Sequence, residues 1–570
     1  MRKGAGDVNL FSNQRVKGFL KTNGRILVNG DGEEILLRGW GAGSWNNPEG
    51  FMIGGPPLNF LAAKSGHHRA APMDRGRTMN QTIIEMCGPE YAERFWSQWF
   101  RNHLGERDIQ AMAGYGYNSV RLPISARTFL YEEPGYRYNE DSFQMLDEIL
   151  GYCEKHKVYA ILDMHGAPGG QSGLSCDDGI DNIPHMFLEE ENRERAIALW
   201  EEFARRYKDR WIVAAYELLN EPISTPRWDH LIPELLRFYD ECIARIRKID
   251  KQHAIVLGGN RFNWAVDLFN KNFDPECSNW FIAFHRYGGS PEPKTIHQYV
   301  SKSVELNVPM WMGEGGGSPE WISTFAELAA EYHIGTNLWA WKAAEGDFHS
   351  PCAYKLPEDW QLVRDYYNGG AKPGYEKSRG IWDEVLENIK FENCVIDHAV
   401  HDFYNRRPSS TLPAVSYNAV PGRGESFSGR HLYSNPYDIR LADEMKIVYD
   451  PDKQAPDKSP QGVIFGEKHV MDPEGLDWAN VSLELRQGEF ATYTVRNVNE
   501  GCKLKLEYYA AGAAKLVAET DGATIGTLAV TAAEFGKQTA EIGTIPTAEA
   551  VTIKLSVAQG TVILKRLIFE

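Results

Sequence analysis

The sequence predicts an α/β fold: a (β/α)8 barrel followed by an all-β sandwich. Three observations carry this. Short apolar runs recur through the first part of the chain, with amphipathic segments between them. Polar and charged residues collect at the C-terminal ends of those runs. From about Met445 onward the helical patterns stop and alternating strands take over. Strands apolar along most of their length, alternating with helices, indicate a parallel sheet buried on both faces. Eight such units over roughly 350 residues fit a closed TIM barrel with insertions.

Taken in order, residues 19–38 read as a hairpin with its turn at Asn29-Gly30-Asp31-Gly32. Asn-Gly and Asp-Gly supply the positive φ such turns need. The eight apolar runs are Leu36–Gly41, Asn118–Pro123, Tyr159–His165, Val213–Glu221, Ala254–Asn260, Trp280–Tyr287, Pro309–Glu314 and Thr336–Trp341. Between them lie helical patterns at Glu90–Ala113, Asp141–His156, Asn192–Asp209, Leu231–Asp250, Ile296–Leu306 and Pro319–His333. An open doubly wound sheet is the other reading of such alternation, but no Gly-rich dinucleotide fingerprint follows the first strand. Ser44–Gly88 and Ala343–Tyr375 are insertions at the C-terminal ends of strands one and eight, where barrel active sites lie. Arg406–Pro413 marks a boundary. The organisation expected is a barrel domain with the N-terminal hairpin over 1–405, a connecting segment over 406–440 and a jelly-roll-like sandwich over 441–570.

The chain has 570 residues, too many for one ordinary core. Its 16 Trp and 26 Tyr suit either sugar stacking or the packing of a large barrel. A net charge of -17 argues against nucleic acid or an anionic membrane as partner. The one basic run, Arg205-Arg206-Tyr207-Lys208, reads as a solvated helix face. Eight cysteines form no C-x-x-C pair, so zinc ribbons and redox motifs are not expected. Asp177, Asp178 and Asp181 read as a polar loop rather than a calcium site, and no metal or other cofactor is expected. Met1–Leu20 holds no apolar segment of signal-peptide length, and no stretch is long and apolar enough to span a bilayer. The expected address is cytoplasmic with reduced thiols; a secreted chain trimmed of its signal would look the same.

The strand ends carry Arg121-Leu122-Pro123, Asp163-Met164-His165, Asn220-Glu221-Pro222, His285-Arg286-Tyr287, Gly313-Glu314-Gly315 and Trp339-Ala340-Trp341. Six strands converging polar groups on one mouth is more than packing asks. The set Arg121, His165, Asn220-Glu221-Pro222, His285-x-Tyr287, Glu314 and Trp341, in this order, resembles glycoside hydrolase family 5 over residues 19 to 345. The resemblance implies a retaining β-glycosidase. Hydrolysis of an acetal through an oxocarbenium-like state needs one carboxylic acid and one carboxylate, about 5–5.5 Å apart in retaining enzymes. Glu221 would be the proton donor and Glu314 the nucleophile. Arg121 would keep Glu314 ionised by charge-assisted hydrogen bonds, and Tyr287 would bond it too. His285 and Tyr287 are two apart on a strand, so both would point inward. Asn220 would hold the sugar 2-hydroxyl, and His165 would also bind substrate. Trp341 would floor the subsite, followed by a non-proline cis peptide.

Three local features resemble the exo-β-1,3-glucanase and β-glucosidase branch of that family. They are His165–Gly173 after strand three, Trp45 with Glu49 after strand one, and the helix Phe95–Phe100 leading to Arg121. The resemblance places Glu49 in the glycone pocket and implies exo action on small β-glycosides or oligosaccharides. An open-cleft endo-β-glucanase or β-mannanase is the alternative, and a non-catalytic sugar-binding barrel the competing class. The sandwich resembles a family 6 carbohydrate-binding module in Gly488–Val495 and Asp521-Gly522, with Tyr493 as half of an aromatic clamp. Glu534–Lys537 lacks the Trp of such modules, and a structural or oligomer role is the expectation. The oligomeric state is left open by the sequence.

Overall fold

The computed structural model describes residues 9–57, 68–289, 291, 293–317, 319–346, 350–407, 411–418, 427–429, 444–453, 480–510, 512–531 and 536–570. A short hairpin, β1 (Lys21–Asn23) and β2 (Ile26–Val28), precedes the barrel. The barrel strands are β3 (Arg38–Gly41), β4 (Ser119–Ser125), β5 (Tyr159–Gly166), β6 (Val213–Glu217), β7 (Ala254–Gly258), β8 (Trp280–Tyr287), β9 (Met310–Gly316) and β10 (Gly335–Leu338). They close in sequence order, with β10 parallel to both β9 and β3. Each expected strand is present. Their fully buried residues, Val120, Leu122, Ile161, Ala215, Ile255 and Ile282 among them, explain why they read as unbroken apolar runs.

Several ends differ from the sequence reading. The pattern over Glu90–Ala113 is two helices, Pro89–His103 and Glu106–Gly114, broken at Leu104-Gly105. Gly105 is extended there, and its N–H bonds the Asp108 carboxylate to start the second helix. Strand four ends at Glu217, not Glu221, and strand eight at Leu338, not Trp341.

Two bulges interrupt the barrel register at its mouth. Ile124 pairs with Met164 but Ser125 with Gly166, which leaves His165 as the extra residue. Phe284 pairs with Met312 but His285 with Glu314, which leaves Gly313 extra. Bulges re-aim side chains at barrel rims, and both of these lie at strand ends singled out by the sequence.

The insertion after β3 carries a helix at Gly76–Cys87, and its residues 58–67 lie outside the described set. The insertion after β10 carries β11 (Lys342–Ala344), β12 (Cys352–Tyr354) and a helix at Trp360–Tyr367, with residues 347–349 outside it. A third strand, β13 (Val395–Ile396), completes that small sheet. These elements share an apolar cluster that includes Met79, Phe95, Trp339, Trp360 and Trp382. All eight cysteines are free thiols. Among the described residues no helix is long and apolar enough to cross a membrane.

The C-terminal part is two antiparallel sheets over one core. The first joins β14 (Thr411–Pro413), β16 (Lys446–Tyr449), β17 (Val481–Arg486), β19 (Lys503–Ala510), β22 (Lys537–Thr544) and β24 (Thr561–Phe569). The second joins β15 (Phe427–Ser428), β18 (Phe490–Val498), β20 (Ala514–Thr520), β21 (Ala523–Val530) and β23 (Ala548–Gln559). Thr411–Pro413 and Phe427–Ser428, expected in the connecting segment, instead pair with β24 and β18. The rest of that segment lies largely outside the described residues, as does 532–535 of the module-like stretch. Tyr493 is no sugar clamp. It faces the core with no exposed surface, and its hydroxyl donates to the Ala414 carbonyl.

Barrel and sandwich meet at a buried ion cluster. Glu327 accepts from Arg38 of β3 and, bidentately, from Arg496 of β18. Burial pushes the Glu327 pKa up, but Arg496, Arg406 and Arg38 outweigh it and hold the carboxyl well below the usual range. A folded pKa below the unfolded one contributes stability above the unfolded value, near 4, that is lost as pH falls. Glu327→Ala strands buried arginines and is expected to cost about 3–5 kcal/mol at neutral pH. The deficit against wild type should shrink as pH falls below about 4 in urea titrations.

Candidate active site

Arg121 is the hub of the barrel mouth. It rises from β4 with no exposed surface. Its Nε and Nη2 donate to the two oxygens of Glu217 at 2.6 and 2.9 Å, and Nη1 donates to Glu314 Oε1 at 2.6 Å. Nη2 also reaches Asn220 Oδ1 at 2.8 Å and Asp163 Oδ2 at 3.0 Å. Burial lowers the guanidinium pKa, but Asp163, Glu217 and Glu314 outweigh it and raise it well above normal. Glu217 was not singled out from the sequence, yet it fixes the guanidinium plane with a bidentate contact.

Glu314 Oε2 accepts from the Tyr287 hydroxyl at 2.9 Å. Glu221 lies four residues beyond the end of β6, at φ +40. Such a conformation costs a non-glycine residue about 1–2 kcal/mol and is held here from outside. Gln171 donates to the His165 and Asn220 carbonyls, Ile223 N–H bonds Gln171 O, and Ser224 N–H bonds Ser172 O. The His165–Gly173 segment is thus a brace under the Asn220-Glu221-Pro222 turn. Glu221 Oε1 lies 2.7 Å from His285 Nδ1, which is also 3.3 Å from Glu314 Oε2. One oxygen of Glu221, one of Glu314 and a ring nitrogen of His285 all lie within 4.8 Å of one another. By donor type such a set would admit a divalent cation, but Arg121 already supplies the positive charge beside Glu314.

Burial drives the titration of the site. It pushes Glu221 up to about 8, against the pull of Arg121 and aided by Glu217. It pushes Asp163 up to about 7, again against Arg121. His165 falls to about 3 and His285 to about 4, both first through burial, so both rings are neutral near pH 7. His165 Nδ1 sits 2.7 Å from Asp163 Oδ2, and Asn220 Nδ2 lies 3.2 Å from His165 Nε2.

Glu49 lies near enough to Glu314 and Glu221 for their charges to act on it. Burial, then Glu314 and Glu221, raise its pKa well above normal. It is 5% exposed, and among the described residues its carboxylate has no hydrogen-bond partner. The loop is held by Trp99, whose indole N–H reaches the Ser44 carbonyl, and by Trp45, whose N–H reaches Phe100 O.

Trp341 is a correction. It is 1% exposed, its indole N–H donates to Asp108 at 2.8 Å, and its ring packs against Trp40 and His401, away from the carboxylates. The tryptophan of the site is Trp339, stacked on His165 with ring planes 5° apart and 5.0 Å between centroids. β10 stops at Leu338, so Trp339 sits at the mouth, where Gly41 leaves room for its ring. The cis peptide is likewise Trp339-Ala340, not the bond after Trp341. The remaining expected residues, Glu49, Arg121, His165, Asn220, Glu221, His285, Tyr287 and Glu314, gather at one mouth. Asp177 and Asp178 bind protein donors: Ser172 and the Gly179 N–H for the first, Arg77 N–H and Arg127 for the second.

Residues 74–345 match the model of the family described as cellulase, glycosyl hydrolase family 5. A β-xylosidase of Phanerodontia chrysosporium is 31% identical over 287 residues, covering 50% of this chain and 56% of the relative. Glucan 1,3-beta-glucosidase 2 of Wickerhamomyces anomalus is 28% identical, covering 45% and 57%. The chain therefore spans little more than half the length of these curated relatives. The crystal structure of endoglucanase Cel5A from Thermotoga maritima is 18% identical, covers 50% of this chain and 91% of its own, and superposes with a TM-score of 0.35.

Proposed function

We propose that the protein, whose residues 74–345 match the glycosyl hydrolase family 5 model, is a retaining β-glycosidase with Glu221 as acid/base and Glu314 as nucleophile. The observation that carries this is the contrast between two carboxyl groups whose oxygens lie within 4.8 Å. Glu314 is gripped by Arg121 and Tyr287, whereas burial holds Glu221 protonated up to about pH 8. Glu314 attacks the anomeric carbon while Glu221 protonates the departing oxygen, which gives a glycosyl-enzyme. Glu221, now ionised, takes a proton from water as that water attacks the same carbon. Asn220 and His165 hold the sugar hydroxyls over Trp339.

Exo action on small β-glycosides or oligosaccharides is the finer part of the proposal. It rests on Glu49, a nearly buried carboxyl close enough to Glu314 and Glu221 for their charges to raise its pKa, and on the insertion that carries it. A sugar end with several hydroxyls would satisfy Glu49; a chain passing through would not. Hydrolysis of aryl β-glucoside, β-xyloside, β-mannoside and β-galactoside tests the activity, and turnover of none would sink the reading. On laminari-oligosaccharides the product expected is one terminal unit per event. Glu49→Ala is expected to lower kcat/KM about 10–100-fold through lost glycone bonds; mixed internal fragments from wild type would mean an open cleft.

A further inference from the structure

Arg261, Phe262 and Asn263, in the loop after β7, stand consecutively in the left-handed region, at φ 56, 59 and 55. None is glycine, and such strain collects where a side chain must be aimed. The side chain aimed here is Asn263. It has no exposed surface, and its Nδ2 lies 3.1 Å from His285 Nε2. Gly258 makes the space: a Cβ there would lie 2.4 Å from Asn263 Oδ1. Asn263 Oδ1 itself is buried without a partner, so the amide is placed for the bond its nitrogen makes.

That bond decides the hydrogen of His285. The ring is neutral near pH 7, so only one nitrogen carries hydrogen. It is faced by Arg121 from β4, His165 from β5, Glu217 from β6, Glu221 from the following loop and Glu314 from β9. Its Nδ1 looks at two carboxyl oxygens and is better as a donor; its Nε2 must then accept, and Asn263 supplies the donor. A hydrogen on Nδ1 occupies Glu221 Oε1, and the acidic proton of Glu221 is left to Oε2. Resting on the acid/base role above, we propose that Asn263 is a positioning residue that keeps the hydrogen of His285 on Nδ1 and thereby keeps the catalytic proton of Glu221 on Oε2. With the other tautomer, Glu221 would donate its proton to the ring instead of the glycosidic oxygen.

The test uses Asn263→Asp, which fits the same space, tolerates the left-handed position and, when ionised, can only accept. In 15N-histidine spectra, with the His285 signals assigned by their loss in His285→Gln, wild type is expected to carry hydrogen on Nδ1 and the Asp variant on Nε2. With a phenyl β-glycoside, which needs its leaving group protonated, kcat/KM is expected to fall about tenfold or more. With a dinitrophenyl glycoside, whose aglycone leaves as an anion, it should fall less than about twofold. Asn263→Ala, which cannot donate either, is expected to show the same split. Hydrogen on Nε2 in wild type, or an equal loss on both substrates, overturns the proposal. If wild type cleaves no β-glycoside the functional reading falls instead, and the spectra still decide the tautomer.

Discussion

Glu314→Ala is expected to lower kcat/KM on any β-glycoside the wild type cleaves by at least about 10⁴-fold. The residue touches nothing structural that its loss would collapse: its oxygens meet Arg121, Tyr287 and His285, and Arg121 keeps Glu217, Asp163 and Asn220. Removing one carboxylate also relieves the crowding of Glu49, Asp163, Glu217 and Glu221 around one guanidinium. The variant should therefore fold. Added azide would enter the space left by the carboxylate and attack the anomeric carbon from the nucleophile's side. The product expected is a glycosyl azide of inverted configuration. A glycosyl azide of retained configuration, or a variant with more than about a hundredth of wild-type activity, would remove Glu314 from the nucleophile's role.

The barrel was legible because parallel strands buried on both faces leave a pattern that no surface element imitates. The two carboxyls proposed for catalysis stand out in the sequence because Asn220-Glu221-Pro222 and Gly313-Glu314-Gly315 put charge near the ends of those apolar runs. What was not legible follows from physics that a period does not encode. Trp339 and Trp341 are two apart and equally apolar. Only the end of β10 at Leu338 and the Asp108 acceptor decide which of them lies against His165 at the mouth. Glu217 did leave a signal, a charge at the end of an apolar strand, but its meaning depends on Arg121 lying across the barrel. Asn263 left none, since it sits in an irregular left-handed turn where no residue pattern repeats. Tyr493, which the resemblance to a carbohydrate-binding module puts in an aromatic clamp, is instead a core residue. Ala491, Tyr493 and Val495 share the buried face of β18, and that parity alone predicts a core residue.

Glu221→Gln is expected to separate chemistry from stability in opposite directions. In wild type, kcat/KM should fall on the alkaline side with a pKa of about 8, as the acid loses its proton. The glutamine cannot donate, so that limb should vanish. Activity on a phenyl glycoside should drop about 10²–10⁴-fold, while a dinitrophenyl glycoside should still form the glycosyl-enzyme and stall there, because no base activates water. Added azide should release it as a glycosyl azide of retained configuration, the opposite outcome from Glu314→Ala. Stability should move the other way. A carboxyl whose folded pKa lies above its unfolded one contributes stability fully only below about 4, and loses it as pH rises toward 8. The amide carries no such penalty, and it keeps a carbonyl oxygen for His285. The variant is expected to melt above wild type at pH 8 and near it at pH 4. A melting difference independent of pH would mean that Glu221 is not held protonated by its burial, and the acid role would need another explanation for the alkaline limb.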